Sequence, residues 1–420
     1  MDQVKQNNIN YNQLIDRTLL LLTVVSTFLF PRMVISEAYP AFRLEDILLV
    51  PIVIRLIQLK PKIDSYIKLI CGFALYIFIV ILINGRIGCV RDYFEICKLL
   101  KLMILILFFS ASENIGFIKK MFVPVFMGIV VFNLFQYFNI LNFNAVIEPF
   151  YSPEHHLKYF GLNSDFTIGT KRLLGTMGNP NNNGILFLFF IVYFLPTDES
   201  KVSKWQMVLF VVAIYGCIHT QSRTAFITLL LILTVYTIVR FAIVKRHYML
   251  FLALLMVVLT EFYYDNLLYL GSLRGTKIQQ DDNFEFKTNN HSLQTRFEIW
   301  QHLYKMIQQK PLMGHAPYKE YFYEHQLYSE NEYILMIWRY GIIGLCFFTA
   351  LIFYPAFKAY RSKFHTKSMQ LMVFTFCIML TALTNNPLSE PRILIMFALM
   401  VGLFYAEMDI TGNHQQTINR

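Results

Sequence analysis

The chain has 420 residues, of which 56% are hydrophobic and only 15% are charged, and its formal net charge is +10. Soluble globular domains average about 25% charged residues, so this composition excludes an ordinary soluble domain and is typical of a membrane protein. A net positive charge also suits nucleic-acid binding, but the lysines and arginines are concentrated at every second connection between apolar runs. The positive-inside rule predicts that distribution, so nucleic acid is not an expected partner.

Apolar runs along the whole chain predict an all-α, polytopic fold with about 12 transmembrane helices in a single membrane domain, residues 1–420. A spanning helix needs about 20 mostly apolar residues. The first run lacks a convincing small-residue cleavage site and is interpreted as a retained helix. The distribution of lysine and arginine then assigns both termini to the cytoplasm. Lys98 and Lys101, near the outer end of the fourth run, are expected to extend to the headgroups. The runs are 18–36, 44–59, 66–84, 94–112, 116–138, 180–196, 205–220, 222–242, 247–263, 331–355, 368–386 and 391–408.

Two connections, 139–179 and 264–330, are too long for simple hairpins, and both are assigned to the outer, periplasmic face. The second contains a predicted amphipathic helix, 293–310, which Pro311 ends. Such a helix lies along the membrane interface, covers a site from outside or simply packs the loop. Its apolar face is predicted to carry Phe297, Trp300, Leu303, Tyr304 and Ile307.

A turn rich in glycine and asparagine precedes the sixth run in the stretch KRLLGTMGNPNNNGI, residues 171–185. Asn179 is expected to cap the helix, and Pro180 suits its first position because that backbone N–H would have no partner there. Gly175 and Gly178 permit backbone angles that other residues resist. The positive end of the helix dipole then lies at the outer face beside Arg172, which predicts an anion site.

Two further helices are predicted to start at the same face. In HTQSRTAFI, residues 219–227, Ser222 is expected to cap a helix whose first turn carries Arg223. In YSENEYILMIWRYGIIG, residues 328–344, Ser329 and Glu332 match the S-x-x-E pattern of a capping box. The three helix starts, with Arg296 nearby in the sequence, predict a pocket for a strongly negative group at the boundary between water and lipid.

These stretches resemble the O-antigen ligase/polymerase superfamily, whose members are multi-span glycosyltransferases that use polyprenyl-diphosphate donors. The resemblance covers about residues 170–345 and is carried by RLLGTMGNPNNNG (172–184), SRTA (222–225), RFEIWQHLYKMIQQKPLMGH (296–315) and ENEYILMIWRYGIIG (330–344). It implies sugar-chain assembly at the periplasmic face of a bacterial inner membrane. The implied partners are undecaprenyl-diphosphate-linked glycans and membrane lipid, with a chain-length regulator and a flippase of the same pathway.

The resemblance also implies roles for individual residues. Arginines of the family hold the donor diphosphate, and the matching positions are Arg172, Arg223 and Arg296, to which Asn179 and Asn181 are added as predicted diphosphate ligands. The predicted catalytic residues are Glu330, Arg223 and Arg296, with Glu330 as the first candidate for the proton acceptor. The secondary candidates are Asn331, Glu332, Tyr333, His315 and His325.

Ligases of the family typically have His-Asn where this chain has Glu330-Asn331, and an acidic residue there favours the polymerase branch. The sequence shows no metal-ligand cluster, so inverting, metal-independent transfer without a cofactor is expected. Two alternatives stay open. One is a ligase that transfers finished polymer to lipid A–core, and the other is a flippase or transporter, against which the lack of a repeat in the sequence argues.

Overall fold

A computed structural model describes residues 2–30, 43–111, 115–151, 172–196, 203–241, 279–280, 286–287, 291–362 and 366–418. The predicted run at 247–263, residues 152–171 and most of 264–290 lie outside the described residues. The described part is all-α apart from one antiparallel pair of two-residue strands, so the predicted fold class is confirmed.

Most elements follow the predicted apolar runs, with bounds that differ by at most four residues, because a change from apolar to polar sequence marks where a membrane helix ends. The exceptions are α1, which begins 16 residues before its predicted run, and α12 and α14, which continue 6 and 10 residues beyond theirs. The helices are α1 (Asp2–Leu29), α2 (Leu44–Leu59), α3 (Ser65–Ile83), α4 (Val90–Ala111), α5 (Ile115–Phe138), α6 (Phe143–Tyr151), α7 (Pro180–Phe194), α8 (Lys204–His219), α9 (Arg223–Phe241), α10 (His291–Gln309), α11 (Lys319–Glu324), α12 (Glu332–Arg361), α13 (Thr366–Ala382) and α14 (Pro391–Ile418). The strands are β1 (Gln279–Gln280) and β2 (Phe286–Lys287), and 3₁₀ turns cover Ile140–Asn142, Gly175–Met177 and Pro387–Ser389.

Among the described residues, four helices are long and apolar enough to cross a membrane: Ser65–Ile83, Gly116–Phe138, Glu332–Arg361 and Pro391–Met408. Shorter apolar helices lie at Pro180–Phe194, Lys204–His219, Arg223–Thr234 and Lys367–Ala382. The chain is therefore a multi-pass membrane protein, and the number of about 12 spans stays a prediction.

The centre of the bundle is packed with phenylalanine. Phe187, Phe189 and Phe190 of α7 are buried almost completely, and they pack against Phe28 of α1 and Phe126 of α5. A helix that is apolar on every side must be surrounded by protein or lipid. Burial of α7 at the centre consequently fixes the position of the turn that precedes it.

Successive connections lie at opposite ends of the bundle. One end, called the arginine end below, holds the connections 84–89, 172–179, 220–222, 310–331 and 383–390. Hydrogen bonds join these connections to one another, from Asn84 Nδ2 to the Gly314 carbonyl (3.3 Å) and from Asn331 Nδ2 to the Leu383 carbonyl (3.0 Å). At the opposite end, Lys358 lies 3.2 Å from Asp64. The alternation of helix direction agrees with the sequence, whereas the membrane face of each end stays a prediction.

Helix α12 is interrupted at Gly341, where the backbone leaves helical angles (φ 65°, ψ −169°). The connection 311–315 fits against this break, because Ile342 N–H donates to the Pro311 carbonyl (2.9 Å) and His315 N–H donates to the Trp338 carbonyl (3.0 Å). A β-carbon on Gly341 would lie 2.1 Å from the Leu312 carbonyl oxygen, so only glycine fits this position. The interruption lets the connection 311–315 pack directly on the helix.

Helix α10 packs on the first half of α12 and on α11, so it covers that end of the bundle with protein. Leu303 is fully buried there with Trp338 and Phe322 in a second small core. The prediction that Tyr304 belongs to the buried apolar face is wrong, since its side chain is 60% exposed. Packing against α12 turns the helix so that position 303 points inward and position 304 outward.

Several charged side chains of α4 are buried rather than extended to headgroups. The expectation for Lys101 is wrong, because it is buried and its ammonium lies 2.6 Å from Asp46. Glu95 of the same helix is also buried and faces three cations: Lys98 (2.7 Å), Arg339 (3.5 Å) and Lys319. Burial, and then the charges of Arg339 and Lys98, lower the pKa of Lys319 to about 7, against the attraction of Glu95.

Substitution of Lys319 by methionine should make the stability of the protein less dependent on pH. Below about pH 7 the ammonium is charged in the folded protein, where burial and the neighbouring cations disfavour the charged form and Glu95 favours it. Between about pH 7 and its ordinary value of 10.5 the unfolded chain keeps the proton and the folded chain does not, so stability rises with pH. The substitution also removes the ion pair with buried Glu95, so we expect the difference in unfolding temperature between Lys319→Met and the natural protein to be about 2 °C or more in favour of the variant at pH 6 compared with pH 9.

The matched control is Lys305→Met, which removes an exposed lysine of α10. It should change the unfolding temperature little at either pH. An equal rise for Lys319→Met at pH 6 and pH 9 would contradict the electrostatic account and leave only a packing effect.

Candidate functional site

The turn before α7 has the geometry that its residues predict. Asn179 caps the helix, its Oδ1 accepting from Asn181 N–H (2.8 Å) and Asn182 N–H (3.3 Å), and Pro180 is the first helical residue. Gly175 and Gly178 have φ values of 56° and 68°. The predicted helix start is confirmed, and it places an amino-terminal helix dipole at the arginine end.

Three polar side chains from the interior of the bundle hold this turn in place. Gln136 of α5 accepts from Gly175 N–H (2.7 Å), while Asn183 of α7 donates to Asn133 (2.9 Å) and to the Leu173 carbonyl (3.2 Å). These buried amides anchor the turn to two helices, so the residues above it have a fixed position.

Replacing Gly175 with alanine should distort this turn. An alanine there would adopt a left-handed backbone conformation that costs about 1–2 kcal/mol, and its β-carbon would lie 2.2 Å from Asn183 Oδ1. Gly85→Ala is a matched control, because Gly85 has φ 67° but no atom lies within 4 Å of the position that its β-carbon would take. We expect Gly175→Ala to lower the unfolding temperature well beyond the Gly85→Ala value and to abolish activity; equal effects would show that only the backbone angle matters.

Arg172 lies on the segment leading into this turn and reaches across to the connection between α8 and α9. Its Nε donates to the Thr220 carbonyl (3.0 Å), and one terminal nitrogen donates to the Gln221 carbonyl (3.0 Å) and lies 3.4 Å from Asn181 Oδ1. Carbonyl groups at the carboxyl end of α8 favour a cation. The guanidinium is therefore fixed between the end of α8 and the start of α7.

Arg223 is the first residue of α9, and its side chain is exposed. Ser222 caps this helix as predicted, with Oγ accepting from Ala225 N–H (3.4 Å). Burial and the charge of Arg223 lower the pKa of Arg172 to about 10, and the same two causes lower the pKa of Arg296. Arg223 therefore lies close enough to Arg172 and to Arg296 to act on both electrostatically.

Arg296, on the first turns of α10, forms an ion pair with Glu330. The neighbouring Trp300 donates from its indole N–H to the Ser329 carbonyl (2.6 Å), which ties α10 to the residues before α12. Glu330 has φ 45°, a left-handed conformation that a non-glycine residue rarely adopts. Strained backbone of this kind costs about 1–3 kcal/mol and is concentrated at functional sites.

The predicted capping box of Ser329 and Glu332 is wrong. Asn331 caps α12, with Oδ1 accepting from Ile334 N–H (3.0 Å), and Ser329 Oγ donates to the Asn331 carbonyl instead (3.0 Å). Glu332 is buried, and its carboxylate accepts from Leu388 N–H (2.9 Å) and Ser389 Oγ (3.0 Å). Glu332 therefore joins α12 to the distant connection 383–390 rather than closing its own helix end.

The connection 383–390, with the following Arg392, was not assigned a role from the sequence. Thr384 contacts Thr224 of α9 through the two hydroxyls, and Glu332 and Asn331 bind the same connection from α12. Arg392 is buried and donates to the Thr176 carbonyl in the turn before α7, and to the Phe30 carbonyl at 2.5 Å. The connection thereby joins the starts of α9 and α12, and Arg392 at the start of α14 adds the turn before α7. The Asn-Asn-Pro sequence of the connection, similar to the turn before α7, was the available signal.

The remaining secondary candidates have structural contacts. His315 is buried, its Nε2 lies 2.8 Å from the Met306 carbonyl, and burial lowers the pKa of its imidazole. His325 is exposed and its Nδ1 lies 3.1 Å from the Tyr321 carbonyl in the same helix. Tyr333 donates from its hydroxyl to the Met379 carbonyl (3.0 Å) and packs α12 on α13. None of these contacts involves one of the three arginines.

The arrangement is suited to binding an anion with more than one charge. Arg172, Arg223 and Arg296 supply three cations, and Glu330 supplies one carboxylate, which leaves a formal charge of +2. The amino ends of α7 and α9 lie beside them. Guanidinium groups bind phosphate oxygens in a bidentate manner and remain protonated, so a diphosphate matches both the charge and the geometry.

A comparison with protein families gives one match, to a family model described as O-antigen ligase, over residues 208–349. This range is about a third of the chain and includes Arg223, Arg296 and Glu330. Arg172 and the turn before α7 lie outside it. No curated protein matches the chain.

Proposed function

We propose, from a match that supports the O-antigen ligase/polymerase superfamily, that this membrane protein polymerises undecaprenyl-diphosphate-linked oligosaccharide repeat units. The product is O-antigen or a related surface polysaccharide, formed at the periplasmic face of the bacterial inner membrane. The observation that carries the proposal is the position of the charged groups: Arg296 pairs with Glu330, Arg172 is held at the end of α8, and Arg223 begins α9 directly after the connection that Arg172 contacts.

In the proposed reaction an acceptor hydroxyl attacks the anomeric carbon of the donor sugar as the bond to the diphosphate oxygen breaks. The electron pair of that bond passes to the diphosphate, where negative charge develops, and the three guanidiniums stabilise it. The hydroxyl proton passes to Glu330. Displacement in one step inverts the anomeric centre, and the described side chains supply both charge stabilisation and a proton acceptor without a metal. Full activity in the presence of a strong chelator is the expected result.

The periplasmic placement of the site rests on charge. The opposite end of the bundle carries clustered lysines, including Lys60, Lys62, Lys119 and Lys120, between or beside α2, α3 and α5. Positive connections remain in the cytoplasm, which supports a periplasmic position for the arginine end.

A second candidate is the ligase, which transfers a finished polymer to lipid A–core, and the description of the matching family model favours it. Glu330 in place of the histidine typical of ligases favours the polymerase. In either case the donor carries its sugar on a lipid diphosphate, so the arginine site has the same role.

Deleting the gene and separating surface lipopolysaccharide on a gel distinguishes the candidates. A polymerase predicts lipid A–core that carries a single repeat without a ladder. Loss of all repeats with polymer accumulating on the carrier lipid would overturn this in favour of the ligase. Unpolymerised units retained inside the cell would indicate a flippase instead.

A further inference from the structure

A lipid-facing groove lies between α5 and α8 at the arginine end. It encloses a cavity of about 100 Å³, and its walls are mainly apolar. The outer residues of the walls, Leu134, Phe138 and Tyr215, are each 45% or more exposed, so the groove opens sideways from the bundle. Val130 and Leu134 line the α5 side, Val212 and His219 line the α8 side, and Leu173 closes one end.

The groove ends where the arginine site begins. Leu173 N–H donates to the His219 carbonyl (3.2 Å), which joins the two residues at that end of the groove. The next residue on each side continues the contact, because Arg172 Nε donates to the Thr220 carbonyl (3.0 Å). Arg223, the first residue of α9, lies three residues after Thr220. The apolar groove and the arginine site are therefore adjacent, because residues 172 and 173 of one segment contact residues 219 and 220 of the other.

A ligand that fills both parts has an anionic head joined directly to a hydrocarbon chain. We propose that the groove binds the first isoprene units of the polyprenyl-diphosphate donor, an inference that rests on the proposed function. An apolar cavity of about 150 Å³ accommodates benzene, so this groove takes a short stretch of branched chain next to the diphosphate. The rest of the polyprenyl chain remains in the bilayer.

The groove orients the donor more than it attracts it. A polyprenyl chain in the bilayer is already surrounded by hydrocarbon, so moving it into the groove adds packing contacts but little hydrophobic free energy. Fixing the chain next to the diphosphate limits the directions from which the diphosphate reaches Arg172 and Arg223. The anomeric carbon is then presented to the acceptor in one orientation, which is how a bound geometry lowers a barrier.

Photolabelling tests the groove directly. The probe is a polyprenyl diphosphate with a photoreactive group on the isoprene units nearest the diphosphate, added to the full-length protein in lipid nanodiscs. We expect labelled peptides from 130–138 and 212–219. Val212→Phe, which fills the groove, should reduce labelling about tenfold, whereas Val208→Phe, one turn away on α8 and outside the groove, should leave it unchanged.

A second pair of variants changes the α5 wall of the groove and keeps the test valid if Val212→Phe impairs folding. Leu134→Phe narrows the groove, while Val131→Phe changes an exposed residue of α5 outside it. Loss of labelling in Leu134→Phe but not in Val131→Phe supports the proposal. Labelling spread evenly around the bundle, or equal labelling of the groove by a probe with the same chain on a phosphocholine head, would overturn it.

The same preparations separate this inference from the proposed function. In one outcome, undecaprenyl diphosphate competes with the groove labelling, but the protein transfers no sugar from any lipid-linked glycan. That result supports the groove site and refutes the glycosyltransferase activity. In the other outcome, sugar is transferred and the KM for the donor is unchanged in Val212→Phe and Leu134→Phe, which refutes the groove site and supports the glycosyltransferase activity.

Discussion

Alanine at position 223 is expected to slow sugar transfer about 100- to 1000-fold, the usual effect of removing one preorganised donor from a site of developing charge. Arg223 is exposed at the start of α9 and acts electrostatically on both Arg172 and Arg296, so it is the member of the group best placed to meet a diphosphate. The measurement is the rate of transfer from a lipid-linked donor by the purified protein. Arg361→Ala, an exposed arginine at the opposite end of the bundle, should leave the rate unchanged.

Lysine at position 223 keeps the positive charge but lacks the planar fork that holds two phosphate oxygens. Arg223→Lys should therefore fail to restore the polysaccharide ladder in a deletion strain. Full restoration at the normal amount of membrane protein would remove Arg223 from the diphosphate site.

Alanine at position 223 should also change the electrostatics of the two neighbouring arginines. Arg223 lowers the pKa of Arg172 and Arg296, which means that its charge disfavours theirs in the unliganded protein. Arg223→Ala removes that charge, so an anion such as inorganic phosphate should bind the remaining two arginines more weakly than it binds the three of the natural protein. Equal binding of phosphate by both proteins would indicate that Arg223 lies too far from the site to contribute.

Glutamine at position 330 is expected to lower kcat about 100-fold or more, because an amide cannot accept the proton of the attacking hydroxyl. The amide has the size and shape of the carboxylate, and the ion pair with Arg296 that it removes is partly exposed, so the unfolding temperature should change little. Glu324→Gln, at an exposed position of α11, is the matched control and should leave kcat unchanged.

A double-mutant cycle separates proton transfer by Glu330 from positioning of Arg296. If Glu330 acts only by holding Arg296, the double variant Glu330→Gln, Arg296→Gln should be no slower than Arg296→Gln alone. We expect a further fall in kcat in the double variant, since loss of the proton acceptor adds to loss of a diphosphate donor. A double variant as active as Arg296→Gln would reduce Glu330 to a positioning residue.

Local features of the site followed from the sequence. Asn179, Pro180, Ser222 and the left-handed glycines of the turn before α7 were predicted correctly, because each interaction spans at most a few residues of the chain. The bounds of the apolar helices were predicted for a similar reason, since hydropathy along the chain marks where lipid-facing segments end.

The same reasoning failed where two distant segments compete for one side chain. Glu332 matches a capping box in sequence, yet its carboxylate binds Leu388 N–H and Ser389, 56 and 57 residues away. The Tyr-Gly-Ile-Ile-Gly stretch was expected within a helix running uninterrupted to 355, but the segment 311–315 inserts its own hydrogen bonds at Gly341. A buried polar group takes the partner that packing places beside it, and local pattern contains no information about that partner.

The sequence by itself determined a membrane-embedded, all-α chain, the local form of two helix starts and the residue types that suit a diphosphate. Only the tertiary structure decided that Arg296 pairs with Glu330, that Arg172 is held by the end of α8, and that the connection 383–390 joins the starts of α9 and α12. The physical reason is range. Hydropathy and helix capping act over one or two turns of chain, whereas a charged site is assembled from helices whose relative positions depend on packing of the whole bundle.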